Sequence, residues 1–119
     1  MTRLKSELWV RAYMWRLEGE GVPTVIVRRG NTEAGAIYIL INRLDRTVRL
    51  FGPAPAGLAE AAGERSFVAL FEGRFVPEID ANERLMREAE FDPDLWVVEA
   101  EDRAGRHFLE DWLADDAGF

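Results

Sequence analysis

Cysteine is missing from this 119-residue chain; histidine occurs once (His107), lysine once (Lys5) and serine twice (Ser6 and Ser66). Each shortage closes off some chemistry. Without cysteine there is no disulfide, no thiol nucleophile and no thiolate metal site. One histidine cannot supply a two-histidine metal centre. With Ser6 placed before a helix and Ser66 at the start of a strand, no serine-based triad can be assembled. The longest uninterrupted apolar run, Ala36 to Ile41, is far too short to span a bilayer. The charged start, with Arg3, Lys5, Glu7 and Arg11, lacks the apolar stretch of a signal peptide. These gaps leave a cytoplasmic protein off the membrane as the expectation, with no cofactor and no metal.

What is present suits a folded chain. Apolar residues make up 48% and charged residues 31%, enough for one globular domain spanning 1–119 with its own core. The net charge of −7 is unevenly spread: residues 1–55 carry +4 and residues 56–119 carry −11. Such a split marks either an acidic partner-binding face or plain solvation of halves that interleave in space.

Ser6 is placed to cap a helix over Glu7 to about Glu18, which Gly19 and Gly21 stop and Pro23 keeps from restarting. Leu8, Ala12 and Trp15 form one stripe, with Trp9, Tyr13 and Leu17 beside it, so the predicted apolar face is wide. Three strands follow. Thr24–Arg28 is rich in β-branched residues, Ala36–Asn42 reads as buried on both faces, and Thr47–Phe51 alternates. The four-residue link Arg43 to Arg46 predicts an antiparallel hairpin between the last two. Residues 52–64 form a small-residue loop, expected to be the most mobile interior segment. A fourth strand is predicted over Arg65–Phe71, with Phe67, Ala69 and Phe71 on one face. A second helix is predicted over Glu78–Phe91, its inner face formed by Ile79, Leu85, Met86 and Ala89 and its surface carrying a Glu83–Arg87 pair. Asp92-Pro93 ends that helix. A fifth strand, Leu95–Glu101, turns at Asp102–Gly105 into a return strand, Arg106–Leu109, followed by a short acidic amphipathic tail. The pattern gives an α+β sandwich: a mixed, mostly antiparallel sheet of about five strands packed by two helices.

Several blocks on these elements are distinctive. They are Leu4 to Tyr13, Arg28-Arg29-Gly30, Ala34 to Tyr38, Leu50 to Pro55, Gly63-Glu64-Arg65, Asp92 to Glu99 and Gly105 to Leu109. In these the chain resembles, over nearly its whole length, a family of short alphaproteobacterial proteins known as domain of unknown function 1491. The resemblance implies a small α/β domain in bacterial cytoplasm and supplies no catalytic residue, ligand or partner.

Candidate sites therefore rest on the residues themselves. Glu99 and Glu101 project from one strand face roughly 7 Å apart, a spacing open to acid–base work or a hard cation. The plainer expectation pairs Glu101 with Arg106 across the turn, with Gly105 in a left-handed conformation. His107 lacks any ligand-motif spacing. Arg28-Arg29-Gly30-Asn31 could grip an anion; the plainer expectation is a solvated hairpin end, with one arginine paired to a carboxylate. Nucleic-acid binding, with Trp9, Tyr13 or Trp15 stacking on bases, runs against the acidic balance. Four Trp, seven Phe and two Tyr exceed what a small core requires, which makes Trp15, Trp112 and Phe75 candidate interface anchors. The function these features point to is a non-enzymatic protein-binding or adaptor module, acting on a protein partner or as a homodimer. The alternative is a small enzyme or anionic-ligand-binding protein that uses Glu99, Glu101 and His107 beside Arg28 and Arg29.

Overall fold

The computed structural model describes residues 4–55 and 65–114. Most of the small-residue loop, residues 56–64, lies outside the described residues, as do the last five positions of the acidic tail.

Helix α1 (Ser6–Gly19) presents Ser6, Trp9, Val10, Tyr13 and Leu17 to the core, the i, i+3, i+4, i+7 spacing of one helical face. The neighbouring stripe read from the sequence points elsewhere: Leu8 and Trp15 are exposed. Ser6 is not the cap. It lies inside the helix and its hydroxyl donates to the Gly35 carbonyl at 2.6 Å. The first amides find backbone instead, Ser6 N–H donating to the Glu33 carbonyl and Glu7 N–H to that of Thr32. At the other end, Val22 N–H reaches the Leu17 carbonyl and Gly21 N–H that of Glu18. With Gly21 at φ 76°, this is a Schellman ending sealed by buried Val22 on Leu17.

The strands are β1 (Thr24–Arg28), β2 (Ile37–Asn42), β3 (Thr47–Pro53), β4 (Phe67–Ala69), β5 (Val76–Pro77) and β6 (Trp96–Glu101). They form one six-stranded sheet in the order β1-β6-β2-β3-β4, with β5 also paired to β3. Among these strands the β2–β6 pair is parallel and the others are antiparallel. The β2–β3 hairpin is antiparallel, as its short link requires. Every residue of β2 is buried, as a central strand covered on both faces should be. Because β6 inserts between β1 and β2, the basic and acidic halves of the chain interleave in space.

Helix α1 covers one face, where Ile37, Ile39, Ile41, Phe51, Phe67, Trp96 and Val98 make the larger core with its aromatic side chains. Helix α2 (Glu78–Phe91) covers part of the other, against Tyr38, Leu40, Val48, Leu50 and Val97. Its inner residues are Ala81 and Leu85, with Ala89 packed beside them; Ile79 and Met86 are exposed, contrary to the sequence-based face. The ion pair along this helix is Arg84–Glu88, at 2.9 Å, rather than Glu83–Arg87.

Two strand expectations need correction. β4 ends at Ala69, and Phe71 enters a left-handed turn (φ 54°) that carries its ring to the α2 side. Residues 106–109 form no return strand, since β6 already has β1 and β2 on its two sides. Asp102 draws the chain away by accepting Arg106 N–H at 2.8 Å and its guanidinium at 3.0 Å. The expected Glu101–Arg106 pair is replaced by Asp102–Arg106, while Gly105 does take the left-handed conformation (φ 74°).

Candidate functional site

Alternation along β6 sets Glu99 and Glu101 on the α2 face with Val97. There Asn42 Nδ2 donates to Glu78 Oε1 at 2.7 Å and to Glu99 Oε2 at 3.4 Å. Burial pushes the Glu99 carboxyl above its ordinary range; the Asn42 amide opposes this, and the charges of Glu78 and Glu101 add to it. Among the described residues neither Glu99 nor Glu101 has a cation within ion-pair distance, and no group of three or more acidic or imidazole side chains is placed to hold a metal ion.

His107 sits on the opposite face of the sheet. Its ring lies 5.0 Å from that of Phe51, and its carbonyl accepts the Tyr13 hydroxyl at 2.8 Å. The structure therefore does not bring His107 into one cleft with Glu99 and Glu101. Its Nδ1 accepts Leu109 N–H at 2.9 Å, which fixes the neutral tautomer with hydrogen on Nε2. Burial lowers its pKa below 6.5; Glu110 opposes that shift and Arg49 reinforces it. A histidine whose folded pKa is depressed contributes stability above its unfolded pKa, and this is lost as pH falls through the folded value. Urea unfolding between about pH 7 and pH 5 should thus show a steeper loss for wild type than for His107→Asn, whose amide oxygen can still accept Leu109 N–H without titrating. Parallel pH dependences would contradict this.

The two arginines part company. Arg29 pairs with Glu7 at 3.5 Å and lies over the Trp96 ring, 5.3 Å from its centroid. Arg28 donates to the Pro93 carbonyl at 3.0 Å and has no carboxylate within ion-pair distance among the described residues. Gly30 makes no anion nest. Its α-carbon packs against the backbone of Asp94, whose carbonyl accepts Asn31 N–H at 2.9 Å.

A different feature gathers these residues: the outer edge of β1. The far edge of the sheet is covered, because Leu113 bridges to Phe67 and Ala114 N–H donates to the Phe67 carbonyl. No strand or tail among the described residues pairs with the outer side of β1. A bulge between Ile26 and Arg28 sets both Val27 and Arg28 against Val97, which turns Arg28 onto the α2 face. Helix α2 lies over β3 and β5 and leaves Val25 and Val27 exposed at 51% and 56%.

Grooves flank this edge on both faces. On the α1 side a groove of about 440 Å³ is lined by Val10, Met14, Trp15, Ile26 and Trp96, with Glu7, Arg11, Glu18 and Arg29 at its margin. On the α2 side one of about 690 Å³ runs between Val27, Arg28 and Val97 and the Leu85–Met86–Ala89 stripe. Of the aromatics nominated as anchors, only Trp15 is freely exposed; Phe75 lies beneath the Arg43 guanidinium and Trp112 packs edge-on to Trp9. Trp9 and Tyr13 are core residues, so neither can stack on a nucleic-acid base. Val25, Val27 and Met86 escaped sequence reading, because a β-branched strand does not announce which of its sides is unpaired.

The architecture is that of an α+β protein with an open mixed sheet; among the described residues one edge is covered and one unpaired, and no helix is long and apolar enough to cross a membrane. The chain belongs to the DUF1491 family, a protein family of unknown function whose model matches residues 4–110. It is similar to the crystal structure of a DUF1491 family protein from Caulobacter crescentus CB15, at 34% identity and TM-score 0.76, covering 94% of this chain and 98% of that one. An NMR structure of a DUF1491 family protein from the same organism is 37% identical (TM-score 0.74, covering 94% and 97%). The solution structure of protein Atu0922 from A. tumefaciens is 36% identical (TM-score 0.72, covering 84% and 86%). No curated protein matches the chain.

Proposed function

We propose that this chain is a non-enzymatic, cytoplasmic protein-binding module that engages its partner along β1. The observation that carries the reading is the free edge with an apolar groove on each face. A strand laid beside β1 would gain main-chain hydrogen bonds and place alternate side chains in the two grooves, the usual geometry of β-augmentation. Long exposed edges promote indiscriminate pairing, so this one is kept short: five residues, ended by a bulge and an arginine. The enzyme alternative draws no such support, since its acidic pair and its histidine lie on opposite sides of the sheet.

Affinity purification of the tagged protein from its own cell extract tests the reading. Wild type should retain a near-stoichiometric protein at moderate salt, an untagged second copy included. A bait carrying Val25→Lys and Val27→Lys, both on exposed edge positions, should lose at least about tenfold of it. Recovery of the chain alone, or equal retention by the lysine variant, would contradict the proposal.

A further inference from the structure

We infer that the occupant of this edge is a second copy of the same chain, paired antiparallel β1 to β1 about a two-fold axis. The inference rests on the protein-binding reading above and goes further by naming the partner.

The backbone is suited to self-pairing. Glu101 N–H donates to the Pro23 carbonyl at 2.9 Å, and Val25 stands opposite Glu99 in the same antiparallel ladder. Since hydrogen-bonded positions alternate along such a ladder, the carbonyl of Pro23 and the amide and carbonyl groups of Val25 face β6, and those of Thr24 and Ile26 face outward. Two antiparallel copies centred on Val25 set Thr24 of each against Ile26 of the other. All four outward groups on each strand are then satisfied, and the sheet continues from one copy into the next.

The charges are complementary under the same axis. Among the described residues Arg28, at one end of the α2 face of β1, has no carboxylate within ion-pair distance. At the other end, beside Val25 and Pro23, Glu99 and Glu101 have no cation within ion-pair distance among the described residues. Antiparallel pairing brings Arg28 of each copy to the Glu101 end of the other, twice per dimer. A parallel arrangement would instead put arginine beside arginine.

The area suffices as well. Trp15, Val25, Val27 and Met86 are 79, 51, 56 and 69% exposed. At ~150–250 Å² for a large side chain they offer on the order of 500 Å² of apolar surface, shared between Trp15 on the α1 face and the other three on the α2 face. The backbone of β1 and the stems of Arg11, Arg28 and Arg29 on the margin bring this near the ~800 Å² per partner of a standard interface.

The test is sedimentation of the purified chain over a concentration series, with the single variants Arg28→Glu and Glu101→Arg and the double variant. Wild type should be a dimer. Each single reversal should raise the dissociation constant at least about tenfold, and the double should return it toward wild type, because the charges then attract again. Val25→Lys with Val27→Lys, both exposed, should give a folded monomer by circular dichroism. A monomeric wild type, a dimer indifferent to the single reversals, or a double variant no better than the singles would overturn the inference. If purified wild type is monomeric while extracts still yield another protein that the lysine variant loses, the second-copy assignment fails and the protein-binding reading stands.

Discussion

Trp96→Ala should cost about 4 kcal/mol of folding stability and lower the melting temperature by roughly 15 °C, while Trp15→Ala should stay within about 0.5 kcal/mol of wild type. The two tryptophans are separated by environment alone. Trp96 opens β6, is fully buried, and sits in parallel register with Ile37 on the α1 face. Its removal leaves a cavity that the surrounding β-branched side chains cannot collapse into. It also leaves the Asn31 carbonyl without the Nε1–H donor now 2.7 Å away. Within a single copy Trp15 is largely in solvent, so at concentrations where the chain is monomeric its truncation costs little. Urea unfolding of both variants decides the matter. Comparable losses, or a Trp96→Ala loss below about 1 kcal/mol, would show that the core is not arranged as described.

Gly30→Ala and Gly35→Ala should each destabilise by about 3 kcal/mol. Neither glycine is there for a left-handed backbone. A Cβ at position 30 would stand 2.1 Å from the Asp94 carbonyl oxygen, and one at position 35 would stand 2.3 Å from the same atom. The obstacle is main chain next to β6 and cannot swing aside as a side-chain end would. Displacing this loop would also strip the carbonyls of Thr32 and Glu33 from the first amides of α1, and that of Asn31 from Trp96. Gly19→Ala is the matched control. Nothing lies within 4 Å of its added carbon, and in a helical position alanine should be neutral or stabilising by up to about 1 kcal/mol. Unfolding curves for Gly30→Ala and Gly35→Ala lying within 1 kcal/mol of wild type would contradict the close approach.

Locally determined features were legible in the sequence. Pro77 and Asp92-Pro93 bound α2 at the residues where the helix begins and ends, and the unbroken Ile37–Ile41 run marks a strand buried on both faces. What depends on distant chain was not. The α1 sequence carries two adjacent apolar stripes, and only the position of the sheet decides that Trp9 and Tyr13 turn inward and Trp15 outward. Ser6 looks like a cap because serine before a helix usually is one; carbonyls 26 or more residues further on displaced it. The place of β6 between β1 and β2 is a long-range pairing, and once it is known the return strand at 106–109 has no side of β6 left to join. The site divides in the same way. Arg28, Glu99 and Glu101 were visible as chemistry, but their arrangement on one face, on and next to a strand edge unpaired among the described residues, and the separation of His107 from them, arise only from strand order.

The claim at the centre of this account is that β1 is the working surface. The most direct measurement is in-cell photo-cross-linking with a benzophenone amino acid placed at Val27, compared with the same probe at Leu113 on the covered far edge. A discrete protein adduct, a second copy or another partner, is expected at position 27 and none at 113. No adduct at position 27, or equal adducts at both positions, would contradict it.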